Sequence, residues 1–193
     1  MKRGATKEEI IRTTQDLITR NGIRAVRVDE IAQRLGISKR TLYEMFADKN
    51  DLISACLDDL ARRQRQRIAA SRRRRSGNPL QRTLRLANDY IDSLYTVDHS
   101  FLADIRRKVL FAEQYDEHRE FWRKELSLNL EECRGGRLLL SEIDTAALAE
   151  QLMSTLFELR LNRTTREELY LLCRTILRGA ATQQGIDLID RKP

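Results

Sequence analysis

The residues best suited to chemistry lie close together. Lys39 and Arg40 stand side by side, with Thr41, Tyr43 and Lys49 following within a few residues. A basic side chain pairs best with guanine O6 and N7, so Lys39 and Arg40 are candidates for reading base edges. Lys49 falls where the first turn of a helix is expected. A lysine there opposes the helix dipole, and a phosphate would reverse that cost, because helix N-termini and lysines both attract anions. Covalent chemistry has one other candidate, Cys133 as nucleophile with His118 as base. Nothing in the sequence positions a third group or an oxyanion hole for them. Cys56, Cys133 and Cys173, with His99 and His118, have no zinc-like spacing, so neither a metal nor a cofactor is expected. The three thiols read as reduced, small, buried hydrophobes rather than a redox switch.

The elements that hold the basic residues can be read from periodicity. Val28, Ile31, Ala32 and Leu35 recur at helical spacing. Gly36 can then take the left-handed conformation that ends a helix, and Ile37 anchors the turn. Ser38 can cap a second helix through an N–H near Thr41. Leu42 and Phe46, four apart, face inward. The result is a helix-turn-helix whose second helix is free to enter a major groove. Two surface helices of a larger bundle would also tolerate a glycine turn. The longer run Thr41-Leu42-Tyr43-Glu44-Met45-Phe46-Ala47-Asp48-Lys49-Asn50-Asp51-Leu52 separates the two readings.

That run resembles the TetR family of bacterial transcription regulators. The family's N-terminal domain ends in Thr-Leu-Tyr, then an aromatic, then a lysine opening the next helix. Here these are Thr41, Leu42, Tyr43, Phe46 and Lys49. Gly22, Ile31-Ala32 and Gly36-Ile37-Ser38 also fall where the family has them. The resemblance implies phosphate contacts from Thr41, Tyr43 and Lys49, within a DNA-binding set of Ser38, Lys39, Arg40, Thr41, Tyr43 and Lys49. Arg27 or Arg34 are further candidates for the backbone. Val28, Asp29, Met45 and the bulky Lys39-Arg40 pair depart from the family's usual residues, so the operator cannot be borrowed from a relative.

Composition bounds the fold. The chain has 193 residues, 41% of them hydrophobic, with only two prolines. It carries no Val/Ile/Thr-rich alternation, so an all-α fold of about nine helices is expected. No signal peptide or membrane span is readable, which predicts a cytoplasmic protein with no membrane partner. The net charge of +7 is segregated. Residues 1–78 hold 19 Lys/Arg against 10 Asp/Glu, and residues 79–193 hold 17 against 19. Basic excess beside a helix-turn-helix suits phosphate neutralisation. An architectural DNA binder would spread that excess along the chain.

Two domains are expected, a helix-turn-helix domain over 1–50 and a helical ligand-binding and dimerisation domain over 51–193. Thr6 with Glu9 reads as a capping box opening the first helix. Asp48 with Asp51 and Asn78-Pro79 read as further helix starts. Arg72 to Arg75 read as a solvated loop, and Gly185 to Pro193 as a loose tail that Ile186, Leu188 or Ile189 could dock. The resemblance implies an inducer pocket between about Pro79 and Arg134, with Tyr90, Phe101, Arg106, Phe111, His118 and Trp122 as candidates, although aromatics at helical spacing are more often core. Leu148, Leu152, Thr155 and Leu159 share one stripe, and Leu169, Leu172, Ile176 and Ala180 another. TetR-like proteins pack two such helices per subunit into a four-helix bundle. A homodimer on a near-palindromic operator is therefore expected, released by an unknown small-molecule effector. The alternatives are an activator, a regulator controlled by a protein partner and, more remotely, an enzyme.

Overall fold

The computed structural model describes residues 4–73, 77–107 and 111–190. These residues form ten α-helices and, among themselves, no β-strand. They fall into two compact units, one of residues 1–66 with 96–117 and one of residues 67–95 with 118–193.

The first unit is built on α1 (Lys7–Asn21), α2 (Val28–Leu35), α3 (Lys39–Tyr43), the start of α4 (Lys49–Arg73), α6 (His99–Arg106) and the start of α7 (Ala112–Gly135). Its helices begin where the sequence places caps. Glu9 N donates to Thr6 Oγ1 at 3.2 Å, and Thr6 N to Glu9 Oε2 at 2.7 Å. Asp51 N donates to Asp48 Oδ1 at 2.8 Å, and Ala47 N to Asp51 Oδ2 at 2.9 Å. The core gathers Ile10, Leu17, Ile18, Ile31, Leu42, Phe46, Leu52 and Ile53. α6 is tied to the N-terminal helices by Asp98 N to Thr19 O at 2.6 Å and Arg24 N to Asp104 Oδ2 at 3.0 Å. It ends at Arg106, and α7 starts at Ala112. The end of the arginine run, Arg74 and Arg75, lies outside the described residues.

A buried polar network joins α1 to α4. Gln15 Nε2 donates to Cys56 O and to Asp59 Oδ2, both at 2.9 Å. Arg63 donates to Gln15 Oε1 at 2.7 Å, and Arg62 and Arg63 both pair with Asp59. Burial alone would raise the Asp59 pKa, but hydrogen bonds from Gln15, Arg63 and Arg62 outweigh it and bring it down to about 2. A folded pKa below the unfolded one stabilises fully above the unfolded value, and this is lost as pH falls through the folded value. Asp59→Asn should therefore lower stability by about 1–3 kcal/mol near neutrality, the scale of charge-assisted hydrogen bonds. The gap should close as pH falls from about 4 towards 2. Urea midpoints across that range check this; a gap independent of pH would assign the titration elsewhere.

The second unit holds the end of α4, α5 (Pro79–Tyr95), most of α7, α8 (Thr145–Leu161), α9 (Arg166–Gly179) and α10 (Gln183–Asp190). Leu80, Ala87, Ile91 and Leu94 of α5 are buried, and Leu84 on the same stripe is half-buried. Leu126, Leu130, Leu152, Leu156, Leu169 and Leu177 complete the core, with Cys133 and Cys173. Residues 185–190 of the tail expected to be loose are helical instead, and Ile189 docks. α10 buries Gly185 and Ile189 and packs against α5 and α9. An isolated antiparallel bridge between Leu139 and Ala181 holds its start in place.

Candidate nucleic-acid interface

The site begins with a turn that only certain residues can make. α2 ends at Gly36, whose φ of 65° and ψ of 29° are left-handed and favour glycine. The next amide, Ile37 N, reaches back to Ala32 O at 3.0 Å. Ser38 then caps α3, accepting Thr41 N at 3.0 Å, with its hydroxyl 3.0 Å from Thr41 Oγ1. Leu42 and Phe46 point into the core, and that orientation sends their neighbours outward. Ser38, Lys39 and Arg40 are exposed, Tyr43 is 47% exposed, and Thr41 is half-buried.

The structure thus brings together on α3 and its N-cap Ser38 five of the six candidate DNA-contact residues, four of them within the helix itself. It also shows partners that spacing did not reveal. Lys39 Nζ lies 2.5 Å from Asp29 Oδ1, and Arg40 Nε lies 3.1 Å from Glu44 Oε1. Arg34 pairs with Glu30 at 3.1 Å, and Arg27 is exposed before α2. Lys49, in the first turn of α4, is half-buried. Burial pulls its pKa down, and the Asp104 carboxylate on α6 pulls it back up. Asp104 had no signal in the sequence, since its role depends on a contact made 80 residues away at Arg24. This surface offers ammonium, guanidinium and hydroxyl donors, which can bind phosphate oxygens and base edges.

The candidates for an effector pocket divide between the units. Phe101 is buried, Phe111 half-buried and Arg106 exposed in the first unit. Tyr90, His118 and Trp122 come together in the second. The Trp122 ring lies 5.3 Å from that of Tyr90, and its Nε1–H donates to His118 Nε2 at 3.2 Å. The dimer candidates sort by exposure. Leu152, Leu169 and Ala180 are buried within the chain, whereas Leu148, Leu159, Leu172 and Ile176 are half-buried and Thr155 is exposed. Cys133 and His118 sit fifteen residues apart on α7, roughly 22 Å along its axis, which separates the nucleophile from its base. Burial also pushes the Cys133 thiol up, away from a reactive thiolate.

Comparison with known proteins agrees with this geometry. Residues 10–56 match the model of the bacterial regulatory proteins of the tetR family. An uncharacterised HTH-type transcriptional regulator of Mycobacterium tuberculosis is 43% identical over 51 residues, which cover 26% of this chain and 21% of the relative. The match thus spans about a fifth of that relative's length. A TetR transcription regulator from Haloarcula marismortui superposes with a TM-score of 0.78 at 18% identity, covering 91% of this chain and 98% of the other. The fatty acid degradation regulator FadR from Bacillus halodurans superposes with a TM-score of 0.71 at 20% identity, covering 92% and 95%. These likenesses extend the shared fold over both units. Residues 10–56 therefore carry the helix-turn-helix segment of the bacterial regulatory proteins of the tetR family, set in an all-α fold that the chain shares with a TetR transcription regulator.

Proposed function

We propose that the chain is a sequence-specific DNA-binding regulator of transcription, working as a homodimeric repressor that a small-molecule effector releases from a near-palindromic operator. One observation carries the reading: on a five-residue helix, Leu42 is fully buried while Lys39, Arg40 and Tyr43 face solvent. A helix held from behind and armed in front with cations and a phenol suits a groove lined by phosphates and base acceptors. Thr41, Tyr43 and Lys49 hold the backbone, and Lys39 and Arg40 read bases. Dimerisation is assigned to the outward edges of α8 and α9, where Leu148, Thr155, Leu159, Leu172 and Ile176 keep area free for a second copy. Such a dimer sets two recognition helices about 34–36 Å apart, one duplex turn. The effector works by population shift, favouring a spacing of those helices that no longer fits two grooves. The protein acts in the cytoplasm, and no helix among the described residues is long and apolar enough to cross a membrane. An activator or partner-controlled regulator would use the same face of α3 and differ in promoter output, which a reporter assay reads.

The test is enrichment of duplexes from a random-sequence pool, followed by anisotropy on the enriched duplex and its variants. Lys39→Ala should cost about 1–3 kcal/mol with the preferred base pair and little where that pair is changed. Lys49→Ala should weaken all duplexes alike and flatten the salt dependence. Uniform loss for Lys39→Ala would make Lys39 a phosphate contact. Failure to enrich any sequence would sink specific recognition, and a monomeric mass at micromolar concentration would sink the dimer.

A further inference from the structure

We propose that Asp29 is a positioning residue for Lys39, restraining its ammonium from phosphate and so setting how sharply α3 separates its operator from other DNA. The inference rests on the reading of α3 as the DNA-reading helix. The ion pairs nearby differ in kind. Arg34–Glu30 and Arg40–Glu44 join residues four apart, an ordinary arrangement on exposed helices. Asp29 belongs to α2 and Lys39 to α3, so their 2.5 Å contact depends on how the two helices cross. Their side chains are 66% and 58% exposed, and a pair so open to water adds little stability.

For DNA affinity alone, a carboxylate here is a liability, because it repels phosphates and offsets a cation that would release a counterion. The liability falls unequally on the two kinds of contact. A lysine ammonium has three donors. With one held by Asp29, another can reach guanine O6 or N7, which carry no formal charge. Taking the same ammonium to a phosphate brings the Asp29 carboxylate against a second anion. Asp29 therefore weakens Lys39 at phosphates more than at a base edge, and specificity rises because the wrong complex is penalised.

Asp29→Asn removes the charge and keeps the size. The full chain and this variant are compared by anisotropy, over a salt series, on a duplex that the wild type enriches from a random pool and on a scrambled duplex of equal composition. Scrambled DNA should bind the variant roughly three- to tenfold tighter at low salt, with a slope steeper by about 0.9 for each lysine freed. The enriched duplex should change by less than about twofold, so the specificity ratio falls. Asp29→Glu should restore the ratio, and on a Lys39→Gln background Asp29→Asn should leave it unchanged. Equal tightening on both duplexes, no change on either, or a change that persists without Lys39 overturns the proposal. If the wild type enriches no duplex, the reading of α3 falls instead.

Discussion

Trp122→Ala is expected to destabilise the folded chain by about 3–5 kcal/mol, the range for truncating a large aromatic in a closed core. Trp122 is 0% exposed. Its ring meets Tyr90 edge-on at 5.3 Å and Phe121 at 6.0 Å, a geometry favoured by aromatic quadrupoles. Its N–H is satisfied by His118, so the side chain is enclosed on its apolar and polar sides together. This weighs its two possible roles. A tryptophan lining an effector cavity has open space on one side, and truncation there enlarges a void that already exists. A core tryptophan leaves a new one. A loss below about 1.5 kcal/mol would favour the cavity. Trp122→Phe keeps much of the packing and loses the N–H, so it should fall between the wild type and alanine. Trp122 is the single tryptophan of the chain, so unfolding is followed by circular dichroism rather than fluorescence.

The aromatic cluster also marks the limit of what spacing can reveal. The helix-turn-helix was legible because its signals are local. Gly36 and Ser38 act through backbone atoms within four residues of themselves, and Leu42 and Phe46 show their face by period alone. The capping pairs Thr6–Glu9, Asp48–Asp51 and Asn78–Gln81 are local in the same way. Tyr90, His118 and Trp122 were singled out by residue type, but their mutual arrangement needs α5 and α7 to pack. The partners of the exposed cations on α3 escape sequence reading for a related reason. Glu44 lies four residues from Arg40 and could have been paired with it by spacing. Asp29 stands out in the sequence only as a departure from the family's usual residues, because its contact with Lys39 crosses between helices. The place of α6 beside α1 rests on Asp98–Thr19 and Asp104–Arg24, far beyond any local period.

The chain's end turns that limit into a prediction whose sign local reasoning gets wrong. Inside a helix, glycine to alanine ordinarily stabilises by about 0.5–1 kcal/mol, and Gly185 lies within α10. Gly185→Ala is nevertheless expected to destabilise by about 1–3 kcal/mol, the cost of overpacking a closed contact. A Cβ built on Gly185 would overlap Leu138 O and stand 3.0 Å from Ala181 Cβ and 3.1 Å from Leu80 Cδ1. Leu138 O cannot easily retreat, because it accepts Thr182 N at 3.0 Å beside the bridge that fixes the start of α10. Relief must come from lifting α10 itself. That would expose Ile189 and strip Arg174 from Ile189 O, 3.0 Å away, and Arg178 from Asp190 Oδ2, 3.1 Å away. Amide hydrogen exchange over residues 183–190 should therefore rise in the variant well before the rest of the second unit unfolds. A higher melting temperature with unchanged exchange would mean that propensity governs this helix and that α10 is not packed through its glycine.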